Sequence, residues 1–221
     1  KAPVKKTNDE QYDLFGFSDA EDVAETQTSY YATLENTEHF YQNVQGDLPT
    51  RMFVQNLLNQ TSVCFDTETT GLDALNSELV GLAFSWEKGK GFYVPFPENQ
   101  EEAQILIDKF KPFFENENIE KVGQNIKYDL KILSRYGIEV KGNLFDTMIA
   151  HYLINPDMRH NMDVLSETYL KYSPKSIETL IGKKGKGQKS MRDVALDDIK
   201  EYAVEDADVT IQLKNHFLPI L

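Results

Sequence analysis

The chain has little cysteine and no long apolar run, and each shortage excludes a class of protein. Its 221 residues include one cysteine, Cys64, which excludes an internal disulfide and fits a reducing cytoplasm. No apolar run approaches the roughly 20 residues that a membrane helix requires, and the first residues lack the apolar core of a signal peptide. We therefore expect no membrane partner.

Positive charge is also scarce. Lys and Arg number 23 against 36 Asp and Glu, giving a net charge of -13. Proteins that wrap around duplex nucleic acid usually carry a basic surface, so this balance argues against that class. It does not exclude an enzyme that holds a few phosphates through metal ions, because bound cations reverse the local field.

The order of the sequence patterns predicts one α/β domain behind a linker. Residues 1–27 are acidic and polar without a sustained period, so we expect a poorly ordered linker there and a single domain over residues 28–221. Strand patterns occupy 62–66, 78–86, 91–96, 119–122 and 144–145, with a further short edge strand at 30–34. Helical patterns occupy 52–59, 100–114, 127–136, 146–154, 163–170, 176–181 and 196–217. Antiparallel strands followed by alternating helices and strands indicate a mixed five-stranded sheet flanked by helices.

The first candidate site lies at residues 63–72. Asp66 and Glu68 end an apolar strand pattern, and alternate residues of a strand share a face. Neighbouring carboxylates repel and raise each other's pKa unless a cation lies between them, and oxygen ligands suit a hard divalent cation. Taken alone, the pattern fits equally well a strand that ends in the polar turn at 69–71.

The second candidate site is the start of a predicted helix. Asn125 has the side chain of a helix cap, and Asp129 lies one turn later on the same face. The alternative is that Asn125 only caps the helix and Asp129 is a solvated acid near its N-terminus. Asp146, which opens a later helix, is predicted to be a cap rather than a ligand.

The third candidate site lies within the last predicted helix. Tyr202 and Asp206 are four residues apart and therefore share a face, although Tyr202 also fits a core tyrosine with its hydroxyl at the rim. Ala203 and Ala207 form a small-residue stripe that would allow close approach to a sheet. Two other acids of this segment are expected to be solvated: Glu205 and Asp208.

Combined, the three segments supply four carboxylates and a phenol. This set suits a phosphodiester-cleaving site in which two metal ions stabilise the attacking and the leaving oxygen. Because a phenol has an ordinary pKa near 10, Tyr202 is expected to orient the attacking water rather than to act as a base.

These segments resemble the proofreading 3′–5′ exonucleases of the DEDD superfamily, which have an RNase H-like fold. The resemblance is to the tyrosine branch, and it is nearest to the exonuclease domain of family A DNA polymerases of the bacterial polymerase I, or Klenow, type. The histidine branch would require His at position 201, where this chain has Glu201. The stretches that carry the resemblance are Phe65–Thr69, Val122–Asp129, Phe145–Met148 and Tyr202–Thr210.

The resemblance implies a set of metal ligands and catalytic groups. Two divalent ions are expected, Mg²⁺ or Mn²⁺, with Zn²⁺ as an option at one site. Asp66, Glu68 and Asp206 would hold the first ion. Asp66 would also reach the second ion, on which Asp129 would act mainly through water. Tyr202 and Glu68 would position the attacking water.

The resemblance also implies a substrate and its contacts. The Thr67 backbone and Glu68 would receive the terminal 3′ hydroxyl, Leu72 would wedge against the terminal bases, and Asn125 and Tyr128 would line the path of the strand. The substrate would be a single-stranded or frayed DNA 3′ end, from which nucleoside monophosphates are released. The expected partner is the polymerase domain of the same parent chain, in the bacterial cytoplasm at the nucleoid.

Two other functions and one further segment remain open. An RNA-trimming exonuclease of the RNase D kind shares the tyrosine-branch acids. A non-catalytic module that binds single strands or braces a polymerase is the rival from another class. The lysine-rich loop at 182–190 is either a contact to the DNA backbone or a solvated charged loop.

Overall fold

Over residues 31–185 and 187–221, which the computed structural model describes, six strands form one mixed sheet. Residues from Ala32 to Leu221 pack together as one unit, and the linker predicted at 1–27 lies outside the described residues. The strands are β1 (Phe40–Asn43), β2 (Ser62–Thr69), β3 (Leu79–Glu87), β4 (Lys90–Pro95), β5 (Glu120–Gly123) and β6 (Leu144–Asp146). Their order across the sheet is β1-β4-β3-β2-β5-β6.

The pairing within the sheet confirms the predicted mixed α/β class and corrects the strand count. β2, β3 and β4 pair antiparallel, whereas β5 pairs parallel to β2 and to β6. These are the five predicted strands. The sixth, β1, was not predicted and pairs parallel with β4. The prediction of an edge strand at 30–34 is wrong over 31–34, the part of this range that the structure describes. Ala32 makes a single bridge to Tyr172, and Leu34–Asn36 is a 3-10 turn.

The helices follow the predicted order with one division. They are α1 (Asp47–Leu58), α2 (Gln100–Asp108), α3 (Lys111–Phe114), α4 (Lys127–Arg135), α5 (Thr147–Ile154), α6 (Met162–Leu165), α7 (Glu178–Ile181) and α8 (Leu196–Phe217). The single helix predicted at 100–114 is divided into α2 and α3, because Pro112 has no N–H to continue the first helix and fits the first turn of the next. No helix among the described residues is long and apolar enough to cross a membrane.

Helix α8 lies close against one face of the sheet, as the small-residue stripe predicts. Ala203 and Ala207 are fully buried in one cluster with Cys64 of β2. A Cβ at Gly91 of β4 would lie 2.3 Å from a methyl carbon of Val204, so this glycine allows the close approach. The opposite face is covered by an aromatic core that includes residues of α1 to α4. The last helix is thus held near the strand that carries the first acids.

Candidate active site

The central strand β2 presents two acids to helix α8. Cys64 packs in the cluster with α8, whereas Phe65 packs in the core on the other face. Because side chains alternate along a strand, Asp66 and Glu68 share the face of Cys64. Pairing between β2 and β5 ends at Cys64, so both acids extend past the end of the neighbouring parallel strand. Glu68 is buried and Asp66 is half-buried.

Helix α4 brings a third acid to the same strand. It begins at Lys127, a few residues after β5 ends, and Asp129 lies in its first turn. Asp129 is only 3% exposed, which excludes the solvated alternative. Its Oδ1 atom accepts a hydrogen bond from the Thr67 backbone N–H at 3.0 Å and another from the Thr67 hydroxyl at 2.6 Å. The Thr67 backbone was expected to receive a substrate hydroxyl, and its N–H has Asp129 as a partner in this structure.

The start of α4 is held by a different residue from the one predicted. Asn125 has a left-handed backbone, φ 57°, and no side-chain hydrogen bond caps the helix at Ile126. Asp146 caps α5 instead, as predicted, through the N–H of Met148. Its carboxylate also accepts the N–H groups of Asn125 at 3.1 Å and Ile126 at 3.0 Å. The prediction that the Asn125 side chain caps α4 is wrong, because the Asp146 side chain holds this turn.

Helix α8 supplies the fourth acid and the tyrosine. Tyr202 lies one turn before Asp206 on the same face of α8. Burial raises the pKa of the phenol, and this carboxylate is near enough to raise it further. Asp206 is 9% exposed. Among the described residues, no hydrogen-bond partner meets its buried Oδ1 atom. A buried carboxylate oxygen without a donor is costly, so this atom marks a position that suits a cation.

The neighbouring acids of α8 are not solvated, contrary to the sequence prediction. Glu205 is fully buried and accepts the Tyr172 hydroxyl. Asp208 is 3% exposed and accepts the Tyr41 hydroxyl at 2.8 Å and the Gly89 N–H at 2.9 Å. Loops and strand β1 cover this side of the helix, so both acids fasten distant segments to α8 rather than face water.

The electrostatics show that the predicted acids form one group. Burial first, and then repulsion from neighbouring acids, raises the pKa of Asp66, Glu68 and Asp206. Burial also raises the pKa of Asp129, against the lowering effect of its bonds from Thr67. The Tyr202 pKa is raised by burial and then by Asp206, Glu68 and Asp66. The three sequence-distant segments therefore meet at one end of β2.

The four acids lie near one another, but their side chains do not converge on a single metal position. In the described part of the chain, no three His, Cys, Asp or Glu side chains are arranged to hold a metal ion. The partnerless oxygen of Asp206 and the raised pKa values fit a set of hard oxygen donors for divalent cations.

Two of the predicted substrate residues, Leu72 and Tyr128, lie at the turn that follows β2. Leu72 is 86% exposed at this turn. The Tyr128 hydroxyl bonds to the Gly71 carbonyl at 2.6 Å and to the Thr69 hydroxyl at 2.7 Å. Tyr128 thus joins α4 to the turn and fixes the segment from which Leu72 projects.

The lysine-rich loop ends beside the same sheet. Lys183, Lys184 and Lys189 are exposed, and position 186 lies outside the described residues. Arg192 follows the loop and donates hydrogen bonds to the carbonyls of Phe96 at 2.7 Å and Leu79 at 2.8 Å. The loop is therefore anchored next to β3 and β4, and its contact with DNA stays a prediction.

Solved structures share this fold. The catalytic core of RRP6 from Trypanosoma brucei has a TM-score of 0.63 at 19% identity, covering 90% of this chain and 55% of that one. Trypanosoma brucei RNase D has a TM-score of 0.66 at 15% identity, covering 80% and 65%. Brucella melitensis NrnC has a TM-score of 0.60 at 22% identity, covering 83% and 81%. This likeness shows that the chain shares the fold of these proteins, a mixed sheet flanked by helices.

The comparison of sequences gives the family. The model of the 3'-5' exonuclease family of A-type DNA polymerases matches residues 41–221, and the chain belongs to this family. DNA polymerase I of Borreliella burgdorferi is 31% identical over 188 residues, which are 84% of this chain and 20% of that protein. DNA polymerase I of Pseudomonas aeruginosa is 35% identical over 160 residues, which are 68% and 17%. The chain spans about a fifth of the length of these relatives. Its family uses divalent metal ions.

Proposed function

We propose that the chain is the proofreading domain of a bacterial DNA polymerase I. It would hydrolyse the last phosphodiester of a single-stranded or frayed DNA 3′ end and release a nucleoside monophosphate. The observation that carries the proposal is the meeting of Asp66, Glu68, Asp129 and Asp206 with Tyr202 at one end of β2. The parent protein would act in the bacterial cytoplasm at the nucleoid.

Two divalent ions, Mg²⁺ or Mn²⁺ with Zn²⁺ as an option at one position, are the proposed cofactors. Asp66, Glu68 and Asp206 would hold the first ion. Asp66 would also reach the second ion, on which Asp129 would act mainly through water. The bound ions would lower the pKa of a water and stabilise the charge on the attacking and leaving oxygens. The donor set supports this assignment, because it combines hard oxygen atoms, mutual repulsion and a buried oxygen without a partner.

Tyr202 would orient the attacking water rather than deprotonate it. Burial and the nearby Asp206 raise its pKa well above the ordinary value of a phenol, so the hydroxyl keeps its proton at any physiological pH. Glu68, which lies near the phenol, would accept from the same water.

The exposed turn after β2 supports an unpaired DNA end as substrate. Leu72 projects almost fully into solvent, where its side chain would wedge against the terminal bases. Asn125 and the ring of Tyr128 would line the path of the strand. Separating a base pair costs a few kcal/mol, so a mismatched or single-stranded end would enter more readily than a paired one.

The test is a timed digestion of two oligonucleotides of the same sequence, one DNA and one RNA, each labelled at the 5′ end. With Mg²⁺ or Mn²⁺, we expect the labelled DNA to shorten stepwise from its 3′ end, and a chelator to stop the reaction. Asp206→Asn serves as the inactive control. Faster digestion of the RNA would favour the RNase D alternative. Binding of the DNA without any cleavage would favour the non-catalytic module.

A further inference from the structure

A single threonine makes two hydrogen bonds to the carboxylate of Asp129. The Thr67 backbone N–H lies 3.0 Å and the Thr67 hydroxyl oxygen 2.6 Å from the same acceptor atom, Oδ1. Thr67 is 7% exposed and Asp129 is 3% exposed. Solvent therefore competes little with these bonds, and the side chain of Asp129 is fixed against β2.

The alternation of the strand explains why this residue stands between two acids. Asp66 and Glu68 share the face of β2 that packs towards α8, so Thr67 points to the other face, from which α4 packs. Its hydroxyl and its backbone N–H both donate to Asp129, which also lies near Asp66. The run Asp66-Thr67-Glu68 thus supplies two acids and, from the residue between them, the support for a third acid.

We propose that Thr67 is a positioning residue for the second metal site and acts through Asp129. This inference rests on the proposed function, since it assigns Asp129 to that site. With both donors of Thr67 on Oδ1, the carboxylate is held in one rotation, and Oδ2 is the atom directed to a cation or its water. This role is additional to the one expected from the sequence, in which the Thr67 backbone receives the terminal 3′ hydroxyl of the substrate.

Residues that orient a ligand change metal affinity typically by about 10- to 100-fold when they are replaced. Thr67→Val keeps the shape and the backbone bond but places a methyl group against Oδ1. We therefore expect the weaker of the two Mn²⁺ dissociation constants, measured by calorimetry, to rise about 10-fold or more. Thr67→Ser should restore the affinity to within about threefold, because it retains the hydroxyl.

A matched control is available two residues along the strand. The Thr69 hydroxyl bonds to the Gly71 carbonyl at 2.8 Å and to the Tyr128 hydroxyl at 2.7 Å, and to no acid among the described residues. Thr69→Val removes the same group from the same strand, and it should leave both Mn²⁺ affinities unchanged. Thermal melting of each variant in chelator checks folding, and Thr67→Ala replaces Thr67→Val if the latter does not fold.

The kinetic readout separates positioning from substrate binding. If Thr67 positions Asp129, Thr67→Val needs more Mn²⁺ for half-maximal activity, while KM for the oligonucleotide at saturating Mn²⁺ is unchanged. Unchanged Mn²⁺ affinity, or a raised KM alone, overturns the inference and leaves the proposed function standing. A wild-type protein that neither binds Mn²⁺ nor digests DNA instead refutes the proposed function itself.

Discussion

Removal of one acid from the candidate site should make the metal-free protein more stable while it abolishes metal binding. Burial and neighbouring carboxylates raise the pKa values of Asp66, Glu68 and Asp206, and burial raises that of Asp129. Because these pKa values are higher in the folded protein than in the unfolded chain, the stability of the metal-free protein falls as the pH rises from the unfolded towards the folded pKa values. Asp129→Asn removes one charge and retains an oxygen that can accept the two bonds from Thr67.

The size of the effect follows from the charge that is removed. Burial raises the pKa of Asp129 from 3.8 to about 7, and one pKa unit corresponds to about 1.4 kcal/mol, so its ionisation opposes folding by at most about 4 kcal/mol. The amide that replaces the carboxylate is also buried, which offsets part of this relief. The expected gain is therefore about 1–3 kcal/mol. For a domain of this size each kcal/mol shifts the melting temperature by about 2–4 °C, so Asp129→Asn should melt at least a few degrees above the wild type in chelator.

The assay is thermal melting at pH 8 in chelator and again in saturating Mn²⁺. Wild type should gain stability with Mn²⁺, because a ligand that binds the folded state stabilises it, and Asp129→Asn should gain much less. The exposed Glu117 provides a control, since Glu117→Gln makes the same charge change away from the site and should melt like wild type. The reasoning is refuted if Asp129→Asn melts at or below wild type in chelator and responds equally to Mn²⁺.

Three further predictions concern the supports of the site and its substrate contacts. In urea, Asp208→Ala should lower the free energy of unfolding by about 2–4 kcal/mol, because the Tyr41 hydroxyl and the Gly89 N–H lose their acceptor. Asp208→Asn should cost much less, and a change within about 0.5 kcal/mol for both variants would indicate a solvated side chain. Leu72→Ala should leave stability unchanged, since the side chain is 86% exposed, and should slow digestion of frayed duplex ends more than of single strands. Equal slowing would contradict the wedge. Replacement of the four lysines at 182–190 by serine should reduce the slope of log K for single-strand binding against log salt concentration by up to about 3. An unchanged slope would identify the loop as solvated surface.

The sequence patterns predicted the elements that carry the acids, for a physical reason. Asp66 ends a strongly apolar strand, Asp129 follows another by one helical turn, and Asp206 lies in a long helix with a small-residue stripe. Each signal is local, because it depends on periodicity within one element. The parallel pairing of β2 with β5 then places Asp66 and the helix that carries Asp129 at the same end of these two strands.

The features that the sequence did not predict depend on contacts between distant segments. β1 has four residues with alternating exposure, and it is defined by its pairing with β4. Asp208 is buried because Tyr41, 167 positions earlier, covers it. A local capping rule favoured Asn125, but the acceptor for that turn is Asp146, 21 residues later in the chain. The bond between Thr67 and Asp129 is of the same kind, since it joins a strand to a helix.

The most direct test of a shared metal site is an anomalous diffraction measurement on crystals soaked in MnCl₂ with a nucleoside monophosphate. We predict two manganese peaks about 4 Å apart, bordered by Asp66, Glu68, Asp129 and Asp206, with the phosphate of the nucleotide against them. Manganese peaks elsewhere on the protein, with none among these four acids, would contradict the account.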